Sequence, residues 1–372
     1  MRRDFHEYPF VVCGEGLGHA SRCLHLGHYL QQQGHTVHFA GYGKSHAFME
    51  QHGCSNLHQT PREVCLEGED GFFSLKKTLL CSKWIMLDMI SSARSVSRLI
   101  SRYRFDCVVC DTMYGGVAAA RIRKVPVVFI TNQNHFNGPG GSTNPVWIIL
   151  NFLIRRYLQL ADQIIVPDFP PPDTVSEFNI VIPKGEERDY QFTGPFLDMD
   201  PDRYTHDQRT IFTSFGGEPY KLPLYQMLRD IADRHKDLYF DVFYTGRGLP
   251  ESSDNFASHG YVPNLYEYLA LARIAIVHGG LTTLHEAMLF EKPVLIVMDP
   301  YHPEQQNNAR KIVAMGAGTS VDARGATCDV LEKKIAETMM CCPRPIRHVY
   351  PAINGRKNAA EIILAAANGR QR

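Results

Sequence analysis

The chain has 372 residues, 44% of them hydrophobic and 21% charged, which is long for one core and comfortable for two domains. Lysine plus arginine equals aspartate plus glutamate at 39 each, so net charge gives no reason to expect nucleic acid as a partner, and any polyanion site must be local. No apolar run reaches the roughly 18 to 20 residues that span a bilayer; the nearest, Val146 to Ile154, stops at Arg155-Arg156.

Ten cysteines without regular spacing, and an N-terminus with no long apolar signal segment, point to a reducing cytoplasm and no disulfides. Cys107-Val108-Val109-Cys110 has the spacing of a metal or redox pair. It lies in a strand-like run, however, where residues three apart point to opposite faces, and no second Cys/His pair accompanies it. Neither a metal nor a resident cofactor is expected.

Taken in chain order, Phe10-Val11-Val12 reads as a first strand and leads into Gly14-Glu15-Gly16-Leu17-Gly18-His19-Ala20-Ser21-Arg22. The spacing is G-x-G-x-G, not the dinucleotide G-x-G-x-x-G, and the next strand ends at Phe39-Ala40-Gly41 without an acid for a ribose. His19, at the start of the first helix, projects from the strand edge into the space where such folds bind ligands. Imidazole titrates near neutral pH and suits a general base, provided a carboxylate holds its other nitrogen. Asp111 qualifies, because it follows the strand from Phe105 to Cys110 and precedes the Gly115-Gly116 turn. Asp111 reads equally as a helix N-cap, and His19 as a phosphate or backbone partner without catalysis.

Residues 71–104 carry Lys76, Lys77, Lys83, Arg94, Arg98, Arg102 and Arg104 against the single acid Asp88. Arg94, Arg98 and Arg102 share a helix face behind apolar Trp84 to Ile90, which reads either as a basic amphipathic element for an anionic membrane or as a solvated face. Residues 145–156 give a second apolar-plus-basic stretch. After the strand Val127 to Ile130, Asn132, Asn134 and His135 are expected on the acceptor side of a cleft, with a purely structural His135 as the other reading.

Further strands at Ile164 to Val166, Ile211 to Phe215, Tyr239 to Phe243, Ile274 to Val277 and Val294 to Val297 alternate with amphipathic stretches. The rhythm predicts an α/β chain with two Rossmann-like doubly wound domains facing across a cleft. We place an N-terminal domain at 1–197, a polar linker at 198–208, a second domain at 209–350, and a C-terminal helix at 351–372 packing back toward the first. Asp198-Met199-Asp200 has a D-x-D look but falls in that linker and reads as a solvated turn.

The most telling stretch is His278-Gly279-Gly280-Leu281-Thr282-Thr283-Leu284-His285-Glu286, which joins a strand to a helix start. Unpaired amides and the positive end of a helix macrodipole make such a start a seat for phosphate. Thr283-x-x-Glu286 reads also as a capping box that binds nothing else. Downstream, Glu304 and Gln305 open another helix and suit sugar hydroxyls.

In order and spacing these residues resemble the GT-B glycosyltransferases, families 1 and 28, which include UDP-glycosyltransferases and the lipid-linked peptidoglycan GlcNAc transferase. The likeness runs through nearly the whole chain: the first glycine loop, Phe105 to Pro126, Phe215-Gly216-Gly217-Glu218, Gly260-Tyr261-Val262-Pro263-Asn264, and His278 to Ala309. The first loop is similar to that of an archaeal or bacterial branch reading G-E-G-L-G-H-x-x-R.

The resemblance implies inverting, metal-independent transfer of a sugar from a nucleotide diphosphate donor, a UDP-sugar, to a hydroxyl acceptor that is soluble or lipid-linked. It implies His19 as base and Asp111 as its partner. Gly18, Phe215, Gly216, Gly217, His278, Gly279, Gly280, Thr282 and Thr283 fall at diphosphate contacts, with His278 helping to neutralise the leaving group. Tyr261, Val262, Pro263 and Glu286 match nucleoside contacts, and Glu304 and Gln305 donor-sugar contacts. Glu291 departs from the family's usual glycine, and Glu304-Gln305 from its Asp-Gln or Gln-Gln, which leaves the donor sugar open. A UDP-sugar 2-epimerase and a silent nucleotide-sugar-binding subunit share much of this pattern. Two placements follow: free in the cytoplasm, or peripheral on the inner face of the membrane.

Overall fold

The structure, a computed structural model, describes residues 5–63, 67–69, 72, 73, 77, 80, 81, 84–136, 145–216, 221–244, 246–262, 264–300, 302–346 and 354–369. The first lobe begins with β1 (Glu7–Val12), α1 (Leu17–Gln32), β2 (Thr36–Gly41), α2 (Gly43–Gln51), β3 (Leu57–Gln59) and the antiparallel pair β4 (Gly68–Glu69) and β5 (Phe72–Phe73). It continues through α3 (Ile85–Tyr103), β6 (Val108–Asp111), α4 (Tyr114–Arg123), β7 (Val127–Ile130), α5 (Pro145–Leu158), β8 (Gln163–Val166) and β9 (Tyr190–Phe192). Among the described residues these strands, the β4–β5 pair apart, form a parallel seven-stranded sheet in the order β3-β2-β1-β6-β7-β8-β9.

The second lobe carries β10 (Thr210–Ser214), α6 (Leu222–Arg234), β11 (Tyr239–Phe243), β12 (Phe256–His259), α7 (Tyr266–Leu271) and β13 (Ala272–Val277). It goes on with α8 (Leu281–Leu289), β14 (Val294–Met298), α9 (Pro303–Ala314), β15 (Gly318–Asp322) and α10 (Cys328–Thr338). Its parallel sheet has six strands among the described residues, in the order β12-β11-β10-β13-β14-β15. Both sheets are built from short, nearly continuous apolar runs such as Val108 to Cys110 and Ile274 to Val277, fully buried because helices cover both faces.

Strand order reverses between β1 and β6 in one sheet and between β10 and β13 in the other. In doubly wound folds the crevice beyond the carboxyl ends of the strands at that reversal is where ligands bind. The loop Cys13 to Gly16, Asp111, Phe215-Gly216 and His278-Gly279-Gly280 all leave strands at these two points.

Two connections besides the covalent linker tie the lobes. The C-terminal helix α11 (Gly355–Gly369) buries Ala359, Ala360, Ile363 and Ala367 in the first lobe's core with Phe10, Leu26 and Val128. Segment 168–180 leaves the first sheet and docks on the second lobe, where Phe169 and Val175 join the core with Leu284 and Ile312. Asp168 fastens that segment. Buried, it accepts from the amides of Phe169, Val175 and Ser176, from the Ser176 hydroxyl, and from His285 Nε2 of α8 at 2.8 Å.

The sequence reading needs correction at the cysteines. Cys81 is disulfide-bonded, counter to the expectation of reduced thiols throughout. Pairing depends on two Cβ atoms being brought within about 4 Å, which the fold decides and spacing does not. Cys107 and Cys110, in contrast, do lie in opposite core clusters of the first lobe.

Candidate active site

His19 sits in the first turn of α1, whose N-cap Gly16 has φ +82° and supplies no capping side chain. Its Nδ1 donates to Asp111 Oδ1 at 2.7 Å, across the gap between α1 and the end of β6. Asp111 is fully buried. Arg22, one helical turn beyond His19 and also buried, grips the same carboxylate: Nε donates to Oδ2 at 2.5 Å and the outer nitrogen to Oδ1. Cys23 Sγ adds a weaker donor at 3.2 Å. Burial alone raises the Asp111 pKa, but the Arg22 and His19 charges and bonds outweigh it and hold the carboxyl well below the usual carboxylate range. Asp111 is therefore an anion, and the N-cap reading lapses: α4 starts at Tyr114 after Met113, and its amides at Tyr114 and Gly115 donate to the Glu63 carboxylate.

Opposite stands the start of α8. Its N-cap is Gly280, and no side chain caps it, so the Thr283 to Glu286 capping box is not formed. The first amides of α8 are left for a ligand, with Thr282 and Thr283 half-buried beside them. Gly279 has φ +90°, a left-handed conformation that favours glycine, and Asn308 Nδ2 holds its carbonyl at 2.9 Å. The two helix starts nearly touch: a Cβ on Gly18 would lie 3.3 Å from Thr282 Oγ1. Arg22, Thr282 and His285 line a narrow cavity behind this meeting point, together with Phe196 and Leu281.

The His278 ring lies against Gly280 and Gly216, the latter with φ +78°. Its Nδ1 is buried without a hydrogen-bond partner. Burial first, then the nearby Lys221 charge, lowers its pKa to about 4. His278 is thus a neutral imidazole at ordinary pH, a hydrogen-bonding group and not the charge carrier expected from the sequence. The cation the sequence reading missed is Lys221, fully buried in an ion pair with Asp299. Its only sequence signal was a lysine a few residues past the Phe215-Gly216 turn.

The remaining candidates divide between cleft and scaffold. Glu286 sits half-buried in α8, where burial raises its carboxyl to about 8. Glu304 and Gln305 occupy the first turn of α9. Glu304 Oε1 accepts from Asn132 Nδ2 at 2.8 Å, a bond between lobes. Gln305 is taken up locally, accepting from the Asp299 amide at 2.7 Å. Phe215 buries its ring in the second core, and its amide donates to the Tyr225 hydroxyl at 2.9 Å. Tyr261 is half exposed with its hydroxyl 3.1 Å from His52 Nε2, again between lobes, and Val262 packs on the second core. Gly217 and Pro263 lie outside the described residues.

Of Asn132, Asn134 and His135, Asn132 reaches the opposite lobe through Glu304. Asn134 is fully buried and spends its amide on Val181 and the Tyr190 hydroxyl, and the His135 amide donates to Asn179, so these two brace the 179–181 segment. The D-x-D acids part company: Asp200 caps the Asp202 amide while Asp198 pairs with Arg356 of α11 at 2.7 Å.

Residues 18–168 match glycosyltransferase family 4, and residues 238–360 match the glycosyltransferase family 28 C-terminal domain. An uncharacterised glycosyltransferase of Methanosarcina acetivorans is 31% identical over 322 residues, 82% of this chain and 81% of the relative. The UDP-N-acetylglucosamine–N-acetylmuramyl-(pentapeptide) pyrophosphoryl-undecaprenol N-acetylglucosamine transferase of Thermosipho africanus is 26% identical over 154 residues, 41% of this chain and 46% of that one. The crystal structure of the kitacinnamycin glycosyltransferase superposes with a TM-score of 0.69 at 17% identity, covering 98% of this chain and 100% of the other. The chain belongs to the glycosyltransferases, with the two-lobed GT-B fold and a second lobe of the family 28 kind, and it is an enzyme.

Proposed function

We propose that the protein transfers a sugar from a UDP-sugar to a hydroxyl of a lipid-linked acceptor, with inversion and without a metal. The observation that carries this reading is the His19–Asp111 pair at the reversal point of one sheet, facing the uncapped start of α8 at the reversal point of the other. In one displacement the acceptor oxygen bonds to the anomeric carbon while its proton passes to His19 Nε2. The bond from that carbon to the diphosphate breaks, and the diphosphate leaves with the electron pair. Asp111 steadies the imidazolium that forms. The α8 amides, the Thr282 and Thr283 hydroxyls and neutral His278 donate to the departing oxygens, which lowers the barrier where charge develops. A single displacement inverts the sugar carbon.

The acceptor's setting follows from the first lobe's surface. On α3, Arg94, Arg98 and Arg102 are exposed opposite buried Ser92, Val96 and Ile100, and Trp84, Met86 and Leu87 stand out at its start. On α5, Ile148, Ile149, Phe152 and Leu153 are exposed beside Arg156. Apolar side chains flanked by guanidinium groups suit an anionic bilayer surface, and no helix among the described residues is long and apolar enough to cross one. The Thermosipho relative's name specifies an undecaprenol-linked acceptor, which supports the same reading.

Thermal shifts with UDP, UDP-glucose and UDP-N-acetylglucosamine identify the donor, since saturation at about a hundred times Kd stabilises by roughly 2.7 kcal/mol. With that donor and an acceptor that turns over, we expect His19→Ala to lower kcat by roughly a hundredfold or more. We expect EDTA to leave turnover intact. Unchanged turnover in His19→Ala refutes the base, and complete, reversible loss on chelation refutes the metal-free account. Formation of a 2-epimer from UDP-N-acetylglucosamine alone would replace transfer by epimerisation.

A further inference from the structure

The sequence reading assigned no role to Arg22, yet the dyad is built around it. Its guanidinium is buried beneath the cleft floor, takes Asp111 from two sides, and reaches Asn132 Oδ1 at 3.3 Å, whose amide in turn meets Glu304. Arg22 Nη2 also lies 2.9 Å from His19 Nδ1. Nδ1 therefore faces both a carboxylate oxygen at 2.7 Å and a cation. With the proton of Nδ1 given to Asp111 Oδ1, Arg22 Nη2 gives its hydrogen to that same oxygen and the lone pair lies on Nε2, the arrangement a base needs.

A buried carboxylate beside a histidine could be satisfied by neutral donors. A guanidinium does two further things: its rigid fork fixes the plane of the carboxylate, and its charge cancels the carboxylate's at short range. We propose that Arg22 is a positioning residue that aims Asp111 at His19 Nδ1, so that the imidazole keeps its proton on Nδ1 and its lone pair on Nε2. The other titratable groups facing the pair include the thiols Cys13, Cys23 and Cys110, which burial keeps protonated, and Glu304 of α9 across the cleft. The inference rests on the transfer reading for what the base does, and its test does not use a sugar donor.

The full chain, labelled with 13C and 15N in histidine and arginine, is titrated by NMR, with the His19 signals assigned from His19→Ala and the Arg22 Nε–H signal from Arg22→Lys. In the native protein the Arg22 Nε–H resonance should move in step with the His19 titration. In Arg22→Gln the His19 ring 15N shifts should lose the pattern of the Nδ1–H tautomer, and Arg22→Lys should restore most of it. An Arg22 resonance blind to His19, or an unchanged tautomer pattern in Arg22→Gln, overturns the proposal. The native-protein arm stands even where Arg22→Gln fails to fold. Retained transfer in His19→Ala would sink the transfer reading instead, while the Arg22 coupling remained measurable.

Discussion

At the scale of single residues, the site mixes groups held for chemistry with groups held for packing, and burial separates them. Glu286 is the clearest case of tension. Its folded pKa of about 8 stands above the ordinary value of 4.5, so its contribution to stability is complete below 4.5 and is lost as pH rises through about 8. Glutamine carries no such charge. We expect Glu286→Gln to gain in Tm over the native protein as pH rises from about 5 to about 9, followed by scanning fluorimetry at each pH. At about pH 9, where the native carboxyl is ionised, the same change should weaken UDP binding about tenfold or more, since a hydrogen bond to a charged acceptor contributes roughly 1.5 to 3 kcal/mol. A Tm difference independent of pH would show that the carboxyl is not titrating in place. The meeting of His19 and Asp111 was legible in the sequence from their places at the ends of neighbouring strands. Phe215 and Asn134 were misread because motif position does not report which way a side chain turns.

At the scale of elements, the helix ends carry the argument. The α8 C-terminus closes with Glu291 N donating to Met288 O and Lys292 N to Ala287 O, the paired bonds that place residue 291 in the left-handed region with φ +57°. Most chains put glycine there. A left-handed residue bearing a Cβ costs roughly 1 kcal/mol, and glycine's larger unfolded-state entropy offsets part of that. We expect Glu291→Gly to raise Tm by about one to two degrees; a lowered Tm would mean that the glutamate side chain holds more than its backbone loses. On α5 the test is of the surface. Phe152→Glu with Leu153→Glu should cut sedimentation with phosphatidylglycerol vesicles at least about tenfold, given roughly 1.5 to 3 kcal/mol for each large apolar side chain buried. Binding to those vesicles at native strength would remove α5 from the bilayer contact. The apolar and basic pattern of both helices was visible in sequence, because exposure at a period of 3.6 residues needs no tertiary information.

At the scale of the whole molecule, the lobes are joined by more than a linker. Segment 168–180 and α11 each cross over, and Asp168 anchors the first of these with five accepted hydrogen bonds, one of them from α8 itself. The helix α8 is thus braced from the first lobe, which carries His19. Removing that anchor leaves several buried donors unsatisfied at roughly 1 to 3 kcal/mol each. We expect Asp168→Ala to lower stability by about 3 kcal/mol or more and to split unfolding into two transitions in calorimetry. A single transition at the native Tm would show that the lobes are held together elsewhere. Nothing in the sequence near Pro167-Asp168-Phe169 announced this role, since its partner His285 lies 117 positions away.

The amino-acid sequence by itself determined the alternation of strands and helices, the two glycine-rich turns and the histidine between them, because periodicity, backbone freedom and helix-start chemistry are local properties. Only the tertiary structure decided which of the named side chains meet. Arg22 beneath Asp111, Lys221 beside His278 and the lowered pKa of that imidazole all depend on groups distant along the chain being brought together and stripped of water. Burial sets the charge state of such groups and distance sets their bonds, and neither is written in the order of residues.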